Sequence, residues 1–309
     1  MWAIAAILFA KLGKQLSARS LNLGKGIIAL VCLLFILFPF RTSDFLQEGF
    51  WYLALSGLLG ICIGDTLYFL TLQRLGARLT LLVGTLIPVV TALSAIVLFK
   101  EAISFLSAVG LLLTIGGVTY VLWSKVNRET KVDTEDKTKS ETKTKTKSEG
   151  DCAKKHSKKI LLSGVFIAIV YVLAESAGIL LTKMGLESYN SIEATFIRQA
   201  WGVAGLVFWG MAAGNLVADF KPIQNNTRLL ALFVSTSFIG AFLGTWLSIL
   251  ALELTYTAVA VSLNSTSPLF ILPISYWFLS EKLKKSSVIG AIIAVSGIAL
   301  YFGSLPANQ

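Results

Sequence analysis

A gapless internal repeat is the feature that most constrains the fold of this chain. Shifted by 180 positions, residues 60–117 match residues 240–297 at positions that shape helix packing. The matches are Gly60 with Gly240, Gly64 with Gly244, Pro88 with Pro268, Glu101 with Glu281, Ser107 with Ser287, Gly110 with Gly290, Gly117 with Gly297, and Leu67, Leu70 and Leu72 with Leu247, Leu250 and Leu252. Leucine matches are common in an apolar chain, but four glycines, a proline and a glutamate in one register indicate a duplication.

The composition places both halves in a lipid bilayer. Apolar residues make up 55% of the chain and charged residues 14%, and this leaves too little polar surface for a soluble globule. We predict an all-α membrane protein with ten transmembrane helices. Their predicted ranges are Trp2–Ala18, Gly26–Phe40, Trp51–Leu72, Leu79–Phe99, Ile103–Trp123, Ile160–Lys183, Ala194–Ala212, Leu230–Leu252, Thr257–Leu279 and Ser287–Tyr301. A duplicated membrane protein of this kind is typical of transporters.

The two halves begin with equivalent helices and are expected to have opposite orientations. A shift of 165 lays Ala3, Ile4, Gly13, Leu16 and Leu21 on Ala168, Ile169, Gly178, Leu181 and Leu186. Each half then has five spans, and because five is odd the second half enters the membrane from the other side. We therefore predict two inverted five-helix repeats, residues 1–124 and 160–305, which enclose a cavity near the membrane midplane.

A charged tract at residues 125–159 joins the predicted repeats. It consists largely of Lys, Thr, Ser and Glu, so it buries too little apolar surface to offset its chain entropy. We expect a disordered cytoplasmic linker, and its basic residues could alternatively contact anionic lipid headgroups. The connections after odd-numbered helices hold 23 of the 27 Lys and Arg residues, and the positive-inside rule therefore places both termini outside.

The sequence offers little for metal, disulfide or nucleophilic chemistry. Cys32 and Cys62 lie in apolar helices, and Cys152 stands alone in the linker. His156 is the single histidine of the chain, so neither a metal site nor a Ser/His/Asp arrangement is expected. We expect no cofactor, no catalytic residue and no nucleic acid partner.

The paired motifs resemble the drug/metabolite transporter superfamily, specifically its ten-helix EamA-type members. The first copy carries Gly64-Asp65-Thr66-Leu67-Tyr68-Phe69, Pro88, Lys100-Glu101 and Gly116-Gly117, and the second carries Gly244-Thr245-Trp246-Leu247, Ser267-Pro268-Leu269-Phe270, Ser280-Glu281-Lys282-Leu283 and Gly297. The resemblance implies two EamA repeats and secondary transport of small metabolites, usually export, through a cavity lined by both halves. It also implies cytoplasmic termini, in conflict with the charge distribution.

Ionisable residues within the predicted spans are the first candidates for a substrate or coupling path, because each costs about 2.5–3.5 kcal/mol on insertion scales. They are Asp65, Glu175, Lys11 and Arg198, with Lys14 near the end of the first helix. A buried carboxylate can bind a proton or a cationic group. The alternative is a structural ion pair, Asp65 with Lys11 or Glu175 with Arg198.

Kinked helices and polar clusters supply the remaining candidates. Pro88 and Pro268 each remove a helix hydrogen bond and are expected to kink matching helices. Asn264 and Ser265, followed by Thr266, precede the second of these prolines, and Tyr68 and Trp246 are candidate cavity walls or simple packing aromatics. Gly60, Gly64, Gly240 and Gly244 are small-xxx-small pairs expected to allow close helix packing.

These features favour a secondary active transporter in the cell membrane that moves a small metabolite by alternating access, as a proton-coupled exporter. It is expected as a monomer or homodimer in the lipid bilayer. An exchanger of phosphorylated or nucleotide-linked sugars would need paired Lys or Arg in the cavity. A non-transporting membrane enzyme or scaffold would need a buried catalytic cluster or no central cavity.

Overall fold

The structure, a computed structural model, describes residues 2–40, 47–99, 105–106, 108–110, 112–121, 124, 147–212, 226–254, 267, 270–271, 274 and 285–303. Helices and short turns make up this described part, with no strand in it. The helices are α1 (Trp2–Leu12), α2 (Ala18–Phe40), α3 (Phe50–Ser56, Gly57–Asp65 and Thr66–Leu75 in succession), α4 (Ala77–Gly84), α5 (Leu86–Phe99), α6 (residues 112–121), α7 (Lys147–Gly185), α8 (Ser191–Ala212), α9 (Thr227–Ser237, Phe238–Gly244 and Thr245–Leu254 in succession) and α10 (Lys285–Gly303).

Four of these helices are long and apolar enough to cross a membrane. The apolar stretches are Ala18–Leu37, Phe50–Leu75, Leu162–Gly185 and Thr227–Ala251, and each reaches the length that a bilayer requires of a helix. The prediction of an all-α membrane protein is therefore confirmed in its general form. Of the predicted helices, the ninth, Thr257–Leu279, lies largely outside the described residues.

The boundary between the first two helices differs from the prediction. α1 ends at Leu12, and α2 already begins at Ala18. The reason is a local cap, because the Ser17 hydroxyl accepts a hydrogen bond from the Ser20 amide at 3.2 Å, as N-cap serines do. Lys25, which the sequence placed in a loop, consequently lies two turns inside α2.

α7 also begins earlier than predicted. The sixth helix is expected from Ile160, but α7 is helical from Lys147, within the tract expected to be a disordered linker. Adding a residue to an existing helix fixes one residue for one new hydrogen bond, which lets the helix extend into polar sequence. The rest of the tract, residues 125–146, lies outside the described residues.

Pro88 interrupts the predicted fourth helix. The helix is split into α4 and α5 at Thr85, three residues before the proline. Proline lacks an amide hydrogen and its ring crowds the preceding turn. The Thr85 hydroxyl donates to the Leu82 carbonyl at 2.7 Å, which satisfies a group at the break. The corresponding Pro268 lies outside the described residues.

α3 and α9 both contain a π-helical segment at the same place in the repeat. The segments are Gly57–Asp65 and Phe238–Gly244, and at a shift of 180 the second falls on residues 58–64. A π-helix closes its hydrogen bonds one residue further along the chain than an α-helix and is rare. Its occurrence in both copies was not predicted from the sequence.

Glycines allow the halves to pack closely. A Cβ atom on Gly178 of α7 would lie 3.0 Å from the Gly60 Cα atom of α3, and one on Gly240 of α9 would lie 2.8 Å from the Ala5 Cβ atom of α1. The first helix of each half thus packs on the third helix of the other half. The π-helical segment of α3 also packs against both α7 and α8.

Candidate functional site

Asp65 and Lys25 form an ion pair within the helix bundle. The Lys25 Nζ atom lies 2.6 Å from the Asp65 Oδ2 atom, and the two side chains are 8% and 18% exposed. The ammonium group also lies 5.1 Å from the centre of the Phe69 ring, a favourable cation–π geometry. Asp65 therefore pairs with Lys25 rather than with Lys11, because α2 begins earlier than predicted.

Glu175 of α7 faces the glycine pair of α3. A Cβ atom on Gly60 would lie 3.1 Å from the Glu175 Oε2 atom and 3.1 Å from the Arg198 Nη2 atom, and one on Gly64 would lie 2.9 Å from the same carboxylate oxygen. The Glu175 oxygen and the Arg198 nitrogen are thus no more than about 6 Å apart, within the range of strong charge interaction. The missing side chains of the two glycines leave the space that the carboxylate occupies.

Two atoms of this site are buried without a hydrogen-bond partner in the described structure, Glu175 Oε2 and Arg198 Nε. Buried polar atoms are nearly always hydrogen-bonded, so such exceptions require an explanation. Asp65, Arg198 and Lys25 all interact electrostatically with Glu175. The four side chains come from α2, α3, α7 and α8, and we call them the charged cluster.

Two tyrosines border the charged cluster. The Tyr68 and Tyr171 rings lie 5.5 Å apart, and Tyr171 lies near Glu175 and Asp65. Tyr171 precedes Glu175 by one helical turn, so both face α3. Beside them, the Ser176 hydroxyl donates to the Ile87 carbonyl at 3.1 Å, which connects α7 to the helix that Pro88 interrupts.

The other predicted site residues lie elsewhere. Lys11 and Lys14 are exposed at and beyond the end of α1. Trp246 packs in an apolar cluster with Ala29, Leu33, Ala241 and Phe242; its ring stacks on that of Phe242 with centres 6.0 Å apart. Asn264 and Ser265 lie outside the described residues. The structure thus brings together Asp65, Glu175, Arg198 and Tyr68 but not Lys11 or Trp246.

Sequence reasoning missed Lys25, Tyr171 and Asn22. The predicted helix boundaries leave Lys25 in a loop, because the start of α2 depends on a single capping hydroxyl, that of Ser17. The spacing of Tyr171 and Glu175, four residues apart on one helix, was a usable signal for a shared face. Asn22 had no such signal, because its partners are backbone and hydroxyl groups of α3.

The charged cluster can hold a proton or a cation at Glu175. With both carboxylates ionised, two negative charges face two positive charges, and the cluster is neutral. Adding a proton or a cation to Glu175 leaves one net positive charge, which is costly in a low-dielectric interior. Within the described residues, no group of three His, Cys, Asp or Glu side chains is arranged to hold a metal ion.

Comparison with known proteins adds two findings. The sequence profile of the EamA-like transporter family matches residues 1–123 and 162–303. A protein of Archaeoglobus fulgidus named "Uncharacterized transporter" is 23% identical over 305 residues, which cover 97% of this chain and 93% of that protein. The two family matches fall on either side of the charged tract.

Proposed function

Since the chain belongs to the EamA-like transporter family, we propose that this multi-pass membrane transporter is a proton-coupled exporter of a small metabolite. It works by secondary active transport and alternating access, and its place is the cell membrane. The charged cluster is the coupling and substrate path. Asp65, Glu175, Arg198 and Tyr68 line it, together with Lys25 and Tyr171.

The architecture that we propose is ten helices in two inverted repeats, residues 1–124 and 160–305. The contact between α6 and α10 supports it. Cβ atoms on Gly117 and on Gly297 would approach the carbonyls of Gly290 and Gly110 at 2.8 and 2.6 Å. The helices therefore run antiparallel, although they occupy equivalent places in the repeat. Inverted repeats of odd span number produce this relation, and repeats of equal orientation do not.

The unpartnered oxygen of Glu175 is the observation that carries the proposal. Asp65 already has a counter-ion at 2.6 Å, whereas Glu175 Oε2 is buried without a hydrogen-bond partner in the described structure. A carboxylate in this condition gains more from a proton or a cationic ligand than one that is already paired. We therefore assign the transported proton to Glu175 and a supporting role to Asp65.

Exchange of phosphorylated or nucleotide-linked sugars is less well supported by the charge distribution. Such anions require paired cations. Lys11 and Lys14 are exposed, Lys25 is paired with Asp65, and Arg198 lies beside Glu175. Each of the two cations of the charged cluster thus lies beside a carboxylate. No observation favours an enzyme or a scaffold.

The experiment compares the metabolites that accumulate in the medium of cells expressing the protein, Glu175→Gln, Asp65→Asn or Glu187→Gln at equal membrane levels. Glu187 is an exposed glutamate just beyond the end of the same helix and serves as the matched control. We expect a metabolite that accumulates with the natural protein and with Glu187→Gln. Its accumulation should be abolished by Glu175→Gln and by a protonophore.

Normal accumulation with Glu175→Gln would remove Glu175 from the mechanism. Accumulation that survives the protonophore would contradict proton coupling. No metabolite difference between cells with and without the protein would contradict export itself.

A further inference from the structure

Asn22 lies against the π-helical segment of α3 and is completely buried. Its side-chain amide donates to the Ile61 carbonyl at 2.7 Å and to the Thr66 hydroxyl at 2.9 Å. The Thr66 hydroxyl in turn donates to the Cys62 carbonyl at 2.6 Å. One side chain of α2 thereby engages two positions of α3 that flank Asp65 on the N-terminal and C-terminal sides.

The conformation of the π-helical segment sets the direction of every later side chain in α3. One residue of an α-helix turns the chain by about 100°. If the segment adopted regular α-helical winding, the residues after it would therefore rotate by a large angle relative to α2. Asp65 is the last residue of the segment, so its meeting with Lys25 depends on this winding.

We propose that Asn22 and Thr66 form a polar clamp that fixes the π-helical winding of α3 and thereby positions Asp65 against Lys25. Asn22 and Lys25 lie three residues apart on α2, so they share a helix face. The same face thus supplies both the clamp and the counter-ion. Asn22 is thus a positioning residue for the charged cluster. The clamp itself does not depend on the proposed function; only the importance of the clamp for transport rests on it.

The chain provides a matched control for the clamp. Thr71 is a second buried threonine of α3, and its hydroxyl donates to the carbonyl four residues earlier, Leu67, at 2.8 Å. Thr66 makes the same kind of bond to Cys62, but it also accepts from Asn22. Thr71→Val thus removes a similar hydrogen bond outside the clamp.

The test is a double-mutant cycle on the ion pair, measured as melting temperature of the purified protein in detergent without substrate. Lys25→Met, Asp65→Asn and the double variant are made in the natural chain, in Asn22→Leu and in Thr71→Val. In the natural chain, the double variant should melt about 4 °C or more above the temperature expected from adding the two single shifts. This difference between the measured and the additive melting temperature should persist in the Thr71→Val chain. It should fall to less than half in the Asn22→Leu chain.

The clamp would be overturned if the non-additive melting-temperature difference were unchanged in the Asn22→Leu chain. It would also be overturned if Thr71→Val reduced that difference as much as Asn22→Leu does. If Asn22→Leu does not fold, Thr66→Val replaces it with the same expectation and the same contradiction. The cycle is independent of transport. If the Glu175 and Asp65 variants did not affect export, the proposed function would be refuted. The clamp would still be judged by the melting-temperature cycle alone.

Discussion

The π-helical segments of α3 and α9 are copies of one feature, but their polar surroundings differ. In α3, Asn22 and Thr66 satisfy carbonyls of the segment, and Asp65 at its end pairs with Lys25. In α9, Ser237 and Trp246 flank the segment. Buried polar atoms with no hydrogen-bond partner in the described structure occur around both copies, at Ser237 and Trp246 in the second and at Asn22, Glu175 and Arg198 in the first. The residue at the place of Asp65 is Thr245, which cannot form an ion pair.

This difference indicates which copy is the more fixed. Rearranging α3 would break its ion pair with Lys25 and the hydrogen bonds of Asn22. The residue of α9 at the place of Asp65 has no charge and so cannot form an ion pair of this kind. We therefore expect α3 to act as the rigid element and α9 as the element that changes between states.

The largest effect on folding is expected when the residues at one corresponding position of the two copies, Gly57 and Ser237, are exchanged. A Cβ atom on Gly57 would overlap the backbone carbonyl of Arg198, whereas the corresponding position in the second copy is Ser237. Because backbone cannot easily move aside, Gly57→Ser should prevent accumulation of folded protein. Ser237→Gly should cost only about 1 kcal/mol, the usual penalty of glycine within a helix. Size-exclusion chromatography of both variants in detergent measures the folded fraction, and equal fractions would show that the two copies tolerate the same side chain.

Breaking the ion pair of the first copy should have the next largest effect. Lys25→Met leaves Asp65 without its counter-ion, and removal of one partner of a buried pair costs about 3–5 kcal/mol. Lys25→Met with Asp65→Thr, which installs the residue of the second copy, should recover much of that loss. Thermal unfolding in detergent gives the comparison. A double variant less stable than Lys25→Met alone would mean that Asp65 stabilises α3 through other contacts.

The smallest effect on stability is expected at the paired glycines Gly64 and Gly244. A Cβ atom on the first would lie 2.9 Å from Glu175 Oε2, the end of a flexible side chain, and one on the second would lie 3.3 Å from the Ile239 carbonyl. Both alanine variants should therefore stay within about 1 kcal/mol of the natural protein. Gly64→Ala should nevertheless reduce export severalfold because it displaces the carboxylate, and Gly244→Ala should not. Equal export by both variants would separate Glu175 from the transport path.

The helical, membrane-spanning character of the chain was predictable, because long apolar stretches depend on local sequence. The interruption near Pro88 followed from the missing amide hydrogen, and the packing of Gly60 and Gly64 followed from their spacing. The start of α2 was missed because the cap depends on one hydroxyl, Ser17. α7 begins earlier than its apolar stretch, because a helix can continue into polar sequence that composition alone does not mark as helical.

The candidate site was less predictable than the fold. Asp65, Glu175, Arg198 and Tyr68 were identified as ionisable or aromatic residues within spans. Their partners depend on the rotation of each helix about its axis, which the π-helical segment changes and which no sequence pattern specified. Lys25 and Asn22 were therefore identified as part of the site only from the structure. Trp246 lies instead in an apolar cluster.

The crossing of α6 and α10 has a consequence for the ancestry of the chain. Thr114 donates to the carbonyl of Ala294 at 3.2 Å, and these residues are 180 positions apart, so each meets its own duplicate. Gly110 meets Gly297 and Gly117 meets Gly290, which is the reciprocal pattern of an isologous dimer. An ancestor with a single copy of the repeat that assembled in antiparallel pairs would have made these contacts between separate molecules. Once two copies of its gene were fused, the two halves no longer had to share one sequence. One half could then acquire Asp65 while the other kept or acquired threonine.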